Sequence, residues 1–200
     1  MTETTIDLIR HGEPVGGRRY RGQLDDPLSD KGWQQMRAAI ADHHPWDVII
    51  TSPLLRCREF AREIAQRHGI PLHEDNRWKE IGFGCWEGKT SQELIQSQPD
   101  ILTSFWHDPI KHRPQGAEPL TDFQQRIVAA WQDLLDQHPG KHVLLVCHAG
   151  TIRMSMQYIL DMPLGHVFRV NVANASITRI KIEHNDNDIF PRLIFHGGQL

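Results

Sequence analysis

His142-Val143-Leu144-Leu145-Val146-Cys147, followed at once by His148-Ala149-Gly150-Thr151, is the stretch on which the fold turns. Five apolar residues in a row, 143–147, with no polar alternation, predict a short strand buried on both faces. Such strands belong to the middle of a sheet that helices cover on either side. Working outward, residues 4–10 and 47–51 predict two more strands of the same kind, and residues 71–75 a short one. Between them lie helical stripes. Trp33, Met36 and Ile40 follow Ser29 as N-cap. Leu54, Cys57, Ala61 and Ile64 follow Ser52-Pro53 as cap and first turn, with Gly69 as the stop. Thr121 with Gln124 suggests a capping box before Phe123, Ile127, Ala130, Trp131 and Leu134. A further helix is expected over 151–160, closed by Asp161-Met162-Pro163. Three last strands are expected near 167–172, 176–183 and 190–196. The alternation predicts an α/β fold, a three-layer α/β/α sandwich with a mostly parallel central sheet.

The 200 residues suit one such domain with its own core. Residues 84–120, with breakers from Pro99 to Gly116 and with Trp86, Phe105 and Trp106, stand apart as a lid-like insertion. The formal charge of −3 argues against a nucleic-acid partner. Apolar runs fall far short of the roughly 18 residues of a membrane span. The first residues lack the basic-then-apolar pattern of a signal peptide. Three cysteines without a CxxC pair argue against a disulfide scaffold or a zinc site, and Cys57, Cys85 and Cys147 read as small packing residues. The expected setting is cytoplasmic, with no metal and no organic cofactor.

Chemistry collects where the strands end. The first runs into Arg10-His11-Gly12-Glu13, the second into Thr51-Ser52-Pro53-Leu54-Leu55-Arg56, and the third into His148-Ala149-Gly150. Ligands of open α/β sheets bind beyond the carboxyl ends of the strands, so Arg10, His11, Arg56 and His148 are expected in one crevice. Two guanidinium forks suit the oxygens of one phosphoryl group. A neutral imidazole between them is a nucleophile, and the nearby arginines lower its pKa. A second histidine donates hydrogen bonds to phosphoryl oxygens. Ala149 and Gly150 open a helix, whose N-terminus favours an anion. Gly22 and Gln23 join them as expected substrate-binding positions. Glu80, between Trp78 and Phe83, has the apolar setting of a general acid.

These residues fall in ordered motifs. Leu8-Ile9-Arg10-His11-Gly12-Glu13, Asp26-Pro27-Leu28-Ser29-Asp30-Lys31-Gly32, Thr51-Ser52-Pro53-Leu54-Leu55-Arg56-Cys57, Glu80-Ile81-Gly82-Phe83-Gly84-Cys85-Trp86-Glu87-Gly88 and Val146-Cys147-His148-Ala149-Gly150 together resemble the histidine phosphatase superfamily, with its phosphoglycerate mutase-like fold. The resemblance spans nearly the whole chain. It implies His11 as the phosphorylated nucleophile, Glu80 as the proton donor, and Arg10, Arg56 and His148 as the phosphate pocket. Cys57, Phe60 and Cys85 depart from the family pattern, where alanine, threonine and aspartate are common. Gly17 and Glu80-Ile81-Gly82-Phe83-Gly84 differ from the mutase branch and favour a phosphatase. Phe105-Trp106-His107-Asp108-Pro109 and Pro114-Gln115-Gly116-Ala117-Glu118 resemble the α-ribazole phosphatase group, which implies α-ribazole 5′-phosphate, a small phosphorylated metabolite of late cobalamin synthesis, as substrate. The alternatives are a broad-specificity phosphatase, a phosphoglycerate mutase-type enzyme, and a silent phospholigand-binding module. The oligomeric state is left open.

Overall fold

The computed structural model describes residues 2–185, 188–198 and 200. Four strands run parallel: β1 (Thr2–Arg10), β2 (Val48–Thr51), β3 (Leu72–Glu74) and β4 (His142–Cys147). β5 (Ile177–Asn185) and β6 (Asp188–Gly198) complete a six-stranded sheet in the order β3-β2-β4-β1-β5-β6. β5 pairs antiparallel with both β1 and β6, so the sheet is mixed. For β5 and β6 the reason is local: they follow one another directly, and a parallel pair needs a crossover that consecutive strands lack.

β4 lies between β1 and β2, as its unbroken apolar run requires. Its side chains alternate across the sheet. Val143 and Leu145 meet α5 (Leu120–Gln137) and α6 (Ala149–Ile159) through Phe123, Trp131 and Ile152. Leu144 and Val146 meet α1 (Asp30–Ile40) and α2 (Leu55–His68) through Met36, Phe60 and Ile64. The two cores on opposite faces make the expected three-layer sandwich. Among the described residues, no helix is long and apolar enough to cross a membrane.

Some local expectations give way to tertiary demands. Ser29 does cap α1, accepting from the Gly32 N–H. Ser52 is not the N-cap of α2, which starts only at Leu55; its hydroxyl accepts from the Leu54 N–H in the turn before the helix and also bonds His148. Thr121 and Gln124 form no capping box, because α5 already begins at Leu120 and Gln124 donates to Gln157 on α6. The capping box lies at Thr90 and Glu93, opening α3 (Ser91–Ser97). Residues 167–172 are not a strand. Leu164–Arg169 form a short 3₁₀ turn, in which Val167 and Phe168 find burial against the α5–α6 core rather than in the sheet.

Residues 84–120 carry α3 and α4 (Ile101–His107) over their own small core of Trp86, Leu94, Leu102 and Phe105. Those aromatic rings are therefore structural, with Trp86 at 2% and Phe105 at 3% exposure; Trp106 remains 46% exposed.

Candidate active site

The parallel strands end level with one another: Arg10 pairs with Cys147, and Thr51 with Val146. The next residues, His11, His148 and Ser52, therefore emerge side by side. A cavity of about 470 Å³ opens there, lined by Arg10, His11, Arg56, Glu80, Ala149 and Gly150 among others. Gly12 is required for this junction, since a Cβ would lie 2.2 Å from the Gly32 carbonyl oxygen.

His11 is buried, and its Nδ1 lies 2.8 Å from the Gly12 carbonyl oxygen. A carbonyl only accepts, so Nδ1 carries the proton and the Nε2 lone pair is left for chemistry. Burial above all, then Arg10 and Arg56, holds the His11 imidazole well below its ordinary pKa. The arginines act as expected, but exclusion from water does more. His148 is fully buried behind His11, with ring centroids 5.2 Å apart in an edge-to-face arrangement. Its Nε2 lies 2.7 Å from Ser52 Oγ, and the Cys57 thiol packs against its ring. Burial, Arg56 and His11 keep it neutral as well. Burial pushes the Cys57 and Cys147 thiols up, so neither is a nucleophile; Cys85, expected to pack, is exposed because Gly84–Trp86 turn it outward.

The two arginines are held by main-chain carbonyls. Arg10 Nη1 donates to Val172 at 2.6 Å, and Arg56 donates to Leu24 at 2.6 Å and Gly22 at 2.8 Å. Each keeps a buried Nε–H without an acceptor among the described residues. An orphaned buried donor costs about 1–3 kcal/mol, which an anion between the guanidiniums relieves. Burial lowers the Arg10 pKa to about 10, Glu80 opposes the fall, and Arg153, Arg18 and Arg56 add to it.

Glu80 is 9% exposed, its carboxylate accepting from the N–H groups of Ile81 at 3.0 Å and Gly150 at 3.2 Å. The loop that carries it is clamped by Arg126 on α5, which donates to the carbonyls of Arg77, Lys79 and Glu80. Glu118 holds Arg126 with both oxygens and also accepts from Gly82 N–H. Gly22 lines the cavity at φ +52°, where a Cβ would meet Glu87 Oε1 at 2.0 Å; its carbonyl is the Arg56 anchor. Gln23 lies outside the cavity wall and donates from its side chain to the Glu80 carbonyl. Ser52, Arg126 and Arg153 are parts of the site that the strand-end pattern does not reveal. Only the charged pair Glu118 and Arg126, eight residues apart beside a recognised motif, left a trace in the sequence.

The histidine phosphatase superfamily (branch 1) model matches residues 6–190. The chain is 30% identical over 188 residues to phosphoserine phosphatase 1 of Hydrogenobacter thermophilus, covering 91% of this chain and 88% of that one. It is 31% identical over 176 residues to the glucosyl-3-phosphoglycerate phosphatase of Mycolicibacterium vanbaalenii, covering 82% and 77%. A solved structure from Escherichia coli K-12, provisionally named an α-ribazole-5′-P phosphatase, shares the fold with a TM-score of 0.82 at 24% identity, covering 98% of this chain and 96% of that one. With strand ends, guanidinium pair and family match in agreement, the chain belongs to the histidine phosphatase superfamily and is a phosphatase of that family.

Proposed function

We propose that the protein hydrolyses small phosphate monoesters through a phosphohistidine on His11 Nε2. The observation that carries this is the Gly12 carbonyl on Nδ1, which leaves the Nε2 lone pair unprotonated inside the cavity that Arg10 and Arg56 line. The phosphoryl group sits between the two guanidiniums, whose orphaned N–H groups offset its charge. Nε2 attacks phosphorus; the P–N bond forms as the P–O bond to the leaving group breaks. Protonated Glu80 gives its proton to the departing oxygen. Water then attacks phosphorus, Glu80 takes its proton, and the P–N electrons return to Nε2, freeing phosphate. His148 backs the His11 ring and fixes its orientation.

In this reading residues 1–200 work as one cytoplasmic catalytic domain, with 84–120 placing Ser91 and Trp106 on the cavity wall as a lid. Ala149 and Gly150 present the start of α6 to the phosphoryl group. The aromatic lining of Tyr20, Phe83, Trp106 and Phe168, on which a benzimidazole would stack, supports α-ribazole 5′-phosphate as one monoester the site accepts. Trp86 and Phe105, buried in their own core, take no part.

The test is chemical. Enzyme mixed with substrate and quenched should carry a phosphoryl adduct on His11 that survives base and is lost in acid. His11→Ala should abolish both adduct and turnover. An acid-stable adduct, or turnover retained in His11→Ala, overturns the mechanism. Phosphoryl return to a second hydroxyl of the same molecule would make the protein a mutase instead.

A further inference from the structure

Arginines of this protein divide sharply by location. Of its sixteen, nine form ion pairs with carboxylates: Arg37 with Glu63 and Arg179 with Asp7 are typical. Five of the seven that pair with no carboxylate among the described residues, Arg10, Arg18, Arg19, Arg56 and Arg153, line the one cavity already described. Unpaired like charges gathered in a concave site repel one another, and such clusters mark anion sites. Arg10 and Arg56 are accounted for by the transferring phosphoryl group, which carries two charges at most. Arg19 is held on the exposed rim by the Gly16 and Gly88 carbonyls; Arg18 and Arg153 are left to explain.

Arg153 is the better defined of the two. It projects from α6 one turn beyond Gly150, with Nε donating to the Val170 carbonyl at 2.8 Å and its guanidinium over the Phe168 ring at 5.7 Å. Both contacts are to neutral groups, so they fix the side chain without cancelling its charge. Its two Nη groups make no hydrogen bond among the described residues. Arg18 comes from the 15–20 loop. Arg153 and Arg18 both act electrostatically on Arg10 and on Tyr20, so the four share one neighbourhood.

We infer that Arg153, with Arg18, forms a second anion subsite, and that the substrate is a phosphate monoester bearing a further anionic group, a carboxylate or a second phosphate. This rests on the phosphatase reading above but not on its aromatic-stacking substrate, since α-ribazole 5′-phosphate has no second anion.

Steady-state kcat/KM is compared for 3-phosphoglycerate, propane-1,3-diol bisphosphate, glycerol 3-phosphate, α-ribazole 5′-phosphate and p-nitrophenyl phosphate. The expected result is a preference of about 10- to 100-fold for one of the two doubly anionic compounds over glycerol 3-phosphate, the range of one charged hydrogen bond. Which of the two leads tells carboxylate from phosphate. Arg153→Gln should shrink that ratio toward one and Arg153→Lys should restore part of it, whereas lost packing would lower all substrates together. If Arg153→Gln does not fold, Arg18→Gln on the exposed loop should shrink the same ratio. A wild-type ratio near one, a ratio unmoved in both variants, or α-ribazole 5′-phosphate as the best substrate overturns the subsite. Absence of any hydrolysis, p-nitrophenyl phosphate included, overturns the phosphatase reading itself.

Discussion

Glu80 Oε1 occupies the space that a side chain on Gly150 would need: a Cβ there would lie 2.1 Å from that oxygen, while the Gly150 N–H donates to Oε2 at 3.2 Å. The missing side chain at the start of α6 is thus what seats the carboxylate at the cavity. Gly150→Ala should push Glu80 aside. Glycine-to-alanine in a helix otherwise stabilises by about 0.5–1 kcal/mol, so the thermal midpoint should hold or rise. Turnover of an alkyl phosphate should fall by roughly 10², the scale of an ångström-sized misplacement. Thermal melts and kinetics on the same preparation check both halves.

Glu80→Gln should be sensitive to the leaving group. An alkoxide is strongly basic and needs the proton; a nitrophenoxide hardly needs it. Single-turnover phosphorylation by an alkyl phosphate should slow by roughly 10² to 10⁴, the usual range for general acid catalysis. Phosphorylation by p-nitrophenyl phosphate should slow far less. Equal losses would show that Glu80 holds the site together and is not the acid.

Arg126 does not itself line the cavity, yet it carries three carbonyls of the loop that presents Glu80. Arg126→Ala should reproduce the Glu80→Gln signature at smaller size, about 10- to 100-fold on alkyl phosphates, as removal of a supporting partner does. A dependence on leaving group is the decisive readout, because general loosening of the fold would slow every substrate alike.

His11 and His148 are buried and neutral, with pKa values held well below the ordinary 6.5 chiefly by burial. In the unfolded chain both bind a proton below that value, so the unfolded state takes up protons that the folded state refuses. Their stabilising contribution is complete above pH 6.5 and is lost as pH falls toward their folded-state values. Each adds about 1.4 kcal/mol per pH unit to the slope of stability in that window. Urea unfolding of His11→Asn between pH 7 and 5 should show a slope shallower by one proton.

Asp7 sets a lower limit. It is fully buried, and although burial works the other way, hydrogen bonds from His142, Arg179 and Trp46 together lower it to about 2. Its contribution is present above pH 3.8 and disappears as pH falls through 2. Asp7→Asn should lower stability at pH 7 by about 2–3 kcal/mol, since an amide keeps one acceptor oxygen where the carboxylate takes bonds from Arg179, His142 and Trp46 on two, and Arg179 loses its counter-charge. Denaturant unfolding at pH 7 measures this directly.

The amino-acid sequence by itself determined the sandwich and the crevice. An apolar run such as 143–147 has only the sheet centre to go to, and parallel strands deliver whatever follows them to one edge. That is why Arg10, His11, Arg56 and Glu80, which line the cavity, were legible from their places after strands, while His148, expected beside them, lies fully buried behind His11. What the tertiary structure decided is each group's state and partner. Ser52 joined its hydroxyl to His148, Trp86 and Phe105 packed in a core of their own, and Val167 and Phe168 packed on helices instead of forming a strand. The Nδ1 proton of His11, the seat of Glu80 against Gly150 and the unpaired charge of Arg153 were settled the same way. Periodicity records which face of an element is buried, but a hydrogen-bond partner 96 residues away, as His148 is from Ser52, leaves no mark on local spacing. Such choices are made only when packed elements compete for the same donors, acceptors and space.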